Sequence, residues 1–279
     1  MDSSIPSNKT AIKIKAPKKR HLTIGWSQLL PWVIPVSVVV IWQAASTFGI
    51  LASSTLPSPL AVFQDTVTLV QNGTLQKNIS ISLYRATVGF LIGGAFGFFF
   101  GVLNGVSRFS RSLFDSSIQM LRNIPHLSLI PLIIIAIGID ESAKISLVAI
   151  GVMFPIYINT LHGIQSVDPD LLEMGQSYGL SKRELFSKII FPSALPTILM
   201  GVRYALGVMW TTLIVAETIA SDSGIGYMST NAEDFMDMKT IIVCIVIYAL
   251  LGKLSDLIAK NIESIVLAWR DVKEVKSHD

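Results

Sequence analysis

The sequence predicts an all-α, polytopic membrane bundle of six transmembrane helices, and three observations point there. Of its 279 residues, 51% are apolar and only 15% charged, and the mean hydropathy is +0.58, outside the usual balance of a water-soluble domain of this length. The apolar residues gather into six runs, roughly 29–51, 83–107, 113–138, 144–164, 194–218 and 240–264, each near the ~20 residues that a helix needs to cross the hydrocarbon. Lysine and arginine collect in alternate connections between those runs, as the positive-inside rule requires of a multi-pass chain.

The first run follows a tail, residues 1–24, that carries Lys9, Lys13, Lys15, Lys18, Lys19 and Arg20 among serines and prolines. Such a composition cannot bury a core, so the tail is expected to be disordered and to lie near anionic headgroups. A basic segment before an apolar one is also the mark of a secretory signal. The run from Leu29 to Leu51 is long enough to span, and it is read as a retained helix. Between the first two runs, Ser58 and Pro59 open an amphipathic stretch with Leu60, Phe63, Val67 and Val70 at helical spacing. It is too short to cross and predicts an interfacial helix.

The second run carries Gly89, Gly93, Gly97, Gly101 and Gly105, one every fourth residue. A stripe without side chains lets another helix approach the backbone closely where lipid removes the hydrophobic drive to associate. Pro125 and Pro131 interrupt the third run, and the backbone groups they free are tolerated only against protein or a water-filled cavity.

Between the fourth and fifth runs lies EMGQSYGLSKRELFSKIIFP, Glu173 to Pro192. Asp168 is a good N-cap with Pro169 at the first helical position, and Gly179 suits the left-handed residue that ends a helix. Ser181 with Glu184 makes a capping box for a second helix, which Pro192 is expected to bound. The reading is two short helices joined by a turn, neither able to span, within a connection covering 165–193. Leu171, Met174 and Tyr178 share one face, an apolar surface of the kind that awaits a partner. Flanking spans exclude a DNA-binding helix-turn-helix, and no nucleic-acid partner is expected. The connection after the fifth run, Ser221 to Asp237, is acidic and reads either as an ordered cap or as a docking site for an outside protein.

The amino tail, 108–112, 165–193 and the carboxyl tail 266–279 hold most of the basic residues; the other connections contain Lys77, none in 139–143, and Lys239. Both termini and the 165–193 connection are therefore expected in the cytoplasm. The chain is expected in a bacterial cytoplasmic (inner) membrane with lipid as its solvent.

Ionisable groups inside spans are expensive, about 2.5–3.5 kcal/mol at mid-depth on insertion scales, and are functional suspects by default. Arg122 and His126 fall one turn apart in the third run, Arg203 lies deep in the fifth, and Glu217 near its outer end. Fourteen residues separate Arg203 from Glu217, about 21 Å along a helix, so each must find its partner on another span. Lys253 and Asp256, three apart, are expected to satisfy each other or reach the interface. With Trp210, Thr211 and Thr212 these groups make a candidate pathway: Arg122, His126, Arg203, Trp210, Thr211, Thr212 and Glu217. A structural ion pair or a bond to a neighbouring carbonyl is the competing reading for each.

The chain lacks the phosphate-binding pattern G-x-x-x-x-G-K-[ST], since Gly252-Lys253 is followed by Leu254, so ATP is expected to bind elsewhere. It also lacks HExxH and Gly-x-Ser-x-Gly, and its four histidines are scattered at 21, 126, 162 and 278. No catalytic residue, metal or cofactor is expected on this chain. An ion-gradient-driven secondary transporter is the rival class, but the inverted repeats such transporters show are not found.

Glu173, Met174, Gly175, three residues, Gly179, nine residues, Ile189, one residue, then Phe191-Pro192 resembles the cytoplasmic signature of ABC importer permeases. There, Glu-Ala-Ala, a glycine and Ile-x-Leu-Pro hold those places, so Met174, Gly175 and Phe191 depart in residue type. Ser117–Leu132, Gly138–Ile145, Phe154–Ile164 and Leu213–Tyr227 resemble aliphatic sulfonate uptake permeases, and the likeness covers roughly 25–265, with taurine, nitrate and bicarbonate permeases in the broader family. The resemblance implies a type I ABC importer fold and a homodimer of this chain. It further implies two cytoplasmic ATPase subunits carrying ATP and Mg, and a periplasmic substrate-binding protein. It implies coupling to the ATPase through Glu173, Met174, Gly175, Gly179, Leu180, Ile189 and Pro192. The implied substrate is an aliphatic sulfonate, with taurine, nitrate or another small anion as the alternative.

Overall fold

The computed structural model describes residues 26–52, 55–219 and 221–269; the basic tail 1–24 and the carboxyl tail from residue 270 lie outside the described residues. Among the described residues there are eleven α-helices and no strand. Four helices are individually long and apolar enough to cross a membrane, and a bent pair would make a fifth.

The first helix, α1 (Trp26–Thr47), is 22 residues long and leaves its apolar side chains from Val33 to Ile41 exposed. The expected amphipathic stretch forms α2 (Pro59–Gln71), with the Ser58 hydroxyl accepting from the Ala61 N–H at 3.2 Å. Leu60 and Phe63 on its apolar face stay exposed, while Val62 packs inward.

The bundle is built on α3 (Thr74–Val106), α6 (Glu141–Gln165) and α9 (Phe191–Ile219). The glycine stripe of α3 lies against α6 along its whole length. A Cβ at Gly93 would overlap the Ala149 carbonyl oxygen, and one at Gly97 would overlap that of Met153. Only glycine permits such a close approach of two backbones, and dispersion and weak Cα–H···O contacts then hold the pair where the hydrophobic effect does not act. Val148, Val152 and Ile156 of α6 meet Ala205, Met209 and Leu213 of α9, with Ala86 of α3, in one buried cluster. The last helix, α11 (Met238–Val266), lies at the periphery with few residues buried.

The third predicted run does not form one straight helix. It divides into α4 (Arg108–Arg122), a 3₁₀ turn (His126–Leu129) and α5 (Ile130–Ile137), and the two arms meet at 88°. Pro125 causes the break, because it has no N–H to give and disfavours the helical conformation for the residue before it. The chain restarts with the Ser128 N–H donating to the Pro125 carbonyl at 2.8 Å.

Pro192 does not end a short helix. From α8 (Lys182–Leu185) the chain passes through one π turn (Phe186–Ile190) into α9 without interruption, so Lys182–Ile219 is a continuous rod of 38 residues. The Phe191 N–H donates to the Phe186 carbonyl. That wider turn accommodates a proline which would otherwise break the ladder.

Candidate functional site

One end of the bundle carries the 165–193 connection. α7 (Pro169–Ser177) starts at Asp168, whose carboxylate accepts from the Asp170 N–H at 3.0 Å. It ends in a turn where Gly179 has φ +75° and the Leu180 N–H donates to the Gly175 carbonyl at 3.1 Å. The capping box is complete: the Ser181 hydroxyl accepts from the Glu184 N–H, and the Glu184 carboxylate accepts from the Ser181 N–H. Gly175 is buried because the tips of Leu185 and Ile189 fill the place its Cβ would take, at 2.7 and 2.6 Å. The departure from alanine at this position thus seats α7 closely on the rod. Leu171, Met174 and Tyr178 remain exposed, Tyr178 by 81%, and Glu173 is exposed beside them. Leu180 is half-buried, and so are Ile189 and Pro192 where the rod begins.

The candidate pathway residues fall into three places. Arg203 and Thr211 line an open groove of about 640 Å³ with Met200, Tyr204, Gly207, Val208 and Asp256. The Arg203 Nε donates to Asp256 of α11 at 2.6 Å, and Lys253 stands farther off, 3.7 Å from the same carboxylate. The expected Lys253–Asp256 pair is therefore secondary to one with Arg203. Thr211 spends its hydroxyl on carbonyls of its own helix.

Trp210 and Thr212 are buried. The indole N–H of Trp210 donates to Ser255 at 2.9 Å, and the Thr212 hydroxyl is 3.0 Å from the His126 Nε2. His126 therefore packs on α9, whereas Arg122 ends α4 exposed. The break at Asn123–Pro125 stands between them, so they do not share a helical face as expected.

Glu217 is the third place, and it belongs to a network that the sequence reading missed. Arg85 of α3 is wholly buried, donating to Glu217 at 2.8 Å and making a two-pronged pair with Glu141 at the start of α6. It also donates to the Ser223 carbonyl at 2.6 Å. Glu217 is saturated by Ser82 at 2.8 Å, the Gly226 N–H at 2.9 Å and Tyr248 at 3.2 Å. Gly224, with φ +105°, passes so near that a Cβ there would overlap the carboxylate. The cluster fastens the start of α10 (Ile225–Asp234) to α3, α9 and α11. In the loop above it, Asp222 is held below the usual carboxylate range by its own backbone N–H and by the Ser223 hydroxyl. One signal could have found Arg85: it stands four residues before Gly89, on the register of the glycine stripe.

Residues 93–266 match the family described as the binding-protein-dependent transport system inner membrane component. The chain is 52% identical over 249 residues to SsuC of Escherichia coli K12, an aliphatic sulfonates transport permease protein, covering 89% of this chain and 95% of that one. It is 39% identical to SsuC of Bacillus subtilis 168 over 97% of both chains. Among solved structures, a bacterial alginate ABC transporter, crystallised with an alginate-pentasaccharide-bound periplasmic protein, superposes with a TM-score of 0.59. The two are 16% identical, with 86% of this chain and 97% of that chain covered. An amino acid ABC transporter gives a TM-score of 0.58 at 19% identity, over 73% and 96%.

Proposed function

Since the chain belongs to the binding-protein-dependent transport system inner membrane components and is an ABC importer permease subunit, we propose that it carries aliphatic sulfonates inward, drawing energy from a separate ATPase. Its place is an inner membrane with both termini cytoplasmic, where it assembles as a homodimer with two ATPase subunits and receives substrate from a periplasmic binding protein. ATP and Mg belong to the ATPase. The substrate reading is supported by the identity with SsuC of two bacteria; taurine and nitrate permeases are more distant, at 28% and 32%.

One observation carries the mechanism: the exposed knob of α7 and its Gly179 turn is continuous, through a capped helix start, with a helix that runs the depth of the bundle. Glu173, Met174, Gly175, Gly179, Leu180, Ile189 and Pro192 make or seat that knob. The ATPase holds it and, on closing around nucleotide, moves the rod between inward-open and outward-open arrangements. A sulfonate keeps its charge at physiological pH, so its route wants donors that hold it weakly. Arg203, already shared with Asp256, fits that need; Arg122, exposed at the break, is the second such donor. His126, Trp210, Thr212 and Glu217 act by positioning the helices around that route, and Thr211 faces the same groove as Arg203.

Gly179→Val tests the coupling. No neighbour obstructs a side chain there, but φ +75° strains a β-branched residue, so the turn deforms while the bundle stays inserted. The variant is expected to lose co-purification with the ATPase and ATP-dependent alkanesulfonate uptake in vesicles. Unchanged co-purification removes the coupling assignment, and uptake driven by an ion gradient alone removes the importer class.

A further inference from the structure

Between the inner end of α3 and the start of the rod lies a groove of about 520 Å³, separate from the one that holds Arg203. Phe98, Phe99, Val102 and Leu103 of α3 form one wall and Phe186 and Phe191 the other, and Ser187 is the sole polar residue that lines it. Phe191 makes the floor: its ring meets Phe98 edge-on with centroids 6.4 Å apart, and Phe186 at 6.1 Å. Behind it, Ile164, Ala194 and Ile198 are buried, so the floor is fixed while the mouth is open. Phe186 and Phe191 also bracket the π turn, since the Phe191 N–H donates to the Phe186 carbonyl. Whatever fills the groove therefore rests on the joint between the knob and the rod.

The rim of the groove is charged. Lys182 and Arg183 stand one helical turn before Phe186 and Ser187, and both are exposed. Among the described residues neither forms an ion pair; Glu184 takes Lys188 at 3.0 Å instead. They occupy the first turn of the rod, where the helix dipole disfavours cations, so local helix stability does not account for them. The helix of a second copy is a poor occupant. One turn, about 10 Å across and 5.4 Å long, already displaces about 400 Å³, and an apolar helix leaves the two cations unanswered. We propose that the groove holds one anionic phospholipid, with an acyl chain along the phenylalanines and the phosphate on Lys182 and Arg183. Arginine grips a phosphate through paired N–H donors and lysine as a point charge, and basic groups beside the inner leaflet attract anionic headgroups. The choice of leaflet rests on the orientation proposed above; the pairing of groove with cations does not.

The test uses the permease with its ATPase in nanodiscs of phosphatidylcholine, with phosphatidylglycerol as the minor component. After mild delipidation, native mass spectrometry is expected to find phosphatidylglycerol on the wild type at about fivefold or more over its share of the mixture. Lys182→Gln with Arg183→Gln is expected to erase that preference without lowering Tm, while Lys182→Arg with Arg183→Lys keeps it. Ser187→Trp, which puts an indole at the mouth, is expected to lower the retention of both lipids severalfold. Retention equal to wild type in the doubly neutralised variant and in Ser187→Trp overturns the proposal, as does a wild type with no preference. A Ser187→Cys variant that cross-links to a second permease chain gives the groove to that copy and overturns it too. In proteoliposomes, Phe186→Trp emission quenched by brominated phosphatidylglycerol confined to the leaflet beside the ATPase supports both site and leaflet. Quenching from the opposite leaflet alone supports the site while overturning the proposed orientation.

Discussion

Arg85 and Arg203 each meet an acid from another helix, and burial makes them different interactions. Arg85 and Glu217 are both fully buried, so removing one partner strands a charge that water cannot reach, at about 3–5 kcal/mol. Arg85→Gln strands the fully buried Glu217 and leaves Glu141, half exposed, with Lys144 at 3.6 Å, whereas Glu217→Gln leaves Arg85 with Glu141. We expect the first to lower the thermal stability of the purified protein more than the second. Arg203 and Asp256 keep 45% and 33% of their side chains exposed, and Asp256→Asn should change stability by about 1 kcal/mol or less. Thermal melts of the three variants check the order. That Glu217 and Arg203 needed partners from other helices followed from their 14-residue separation. The partners themselves did not, because nothing in one-dimensional spacing says which helices touch. Arg85 escaped notice because it sits near the edge of its apolar run, where an arginine ordinarily reaches water.

At the scale of elements, the legible features were those with a local cause. Ser58, Asp168, Gly179 and the Ser181–Glu184 box all cap or turn the chain where their short-range chemistry directs. The glycine stripe announced a close helix partner, and α6 is that partner. Gly93→Ala should therefore force two backbones apart, at about 1–3 kcal/mol of overpacking, while Gly207→Ala, with no atom within 4 Å of the added methyl, should be tolerated. Melting temperatures of the two alanine variants decide this; equal values would mean that the stripe does not set the helix spacing. Two features were less legible. Pro125 and Pro131 mark an interrupted run, but the 88° bend is set by where α5 finds apolar neighbours on α6, through Ile130 and Ile133 against Ala143 and Leu147. Pro192 reads as a stop, yet one π turn carries the helix through it, while Leu185 before that turn and Ile189 within it seat against Gly175 of α7.

Across the whole molecule, the consequence of that π turn is a single rod from Lys182 to Ile219, about 57 Å at the α-helical rise. One end holds α7 through the Gly175 contact, and the other carries Glu217 and the start of α10. A displacement applied at the knob can reach the far end only if the helix between is stiff, so its stiffness should govern how many ATP molecules are spent for each substrate moved. Gly207 offers a place to alter stiffness without a steric clash, since its side is open. Gly207→Pro removes the hydrogen bond to the Arg203 carbonyl and crowds that carbonyl, which kinks a helix. It should leave the Gly179 turn and co-purification with the ATPase intact while raising ATP hydrolysed per alkanesulfonate imported about tenfold in proteoliposomes. Gly207→Ala, which favours helix by about 1 kcal/mol, should hold the wild-type ratio. A proline variant with an unchanged ratio would mean that the force travels through α6 or α11 instead of the rod.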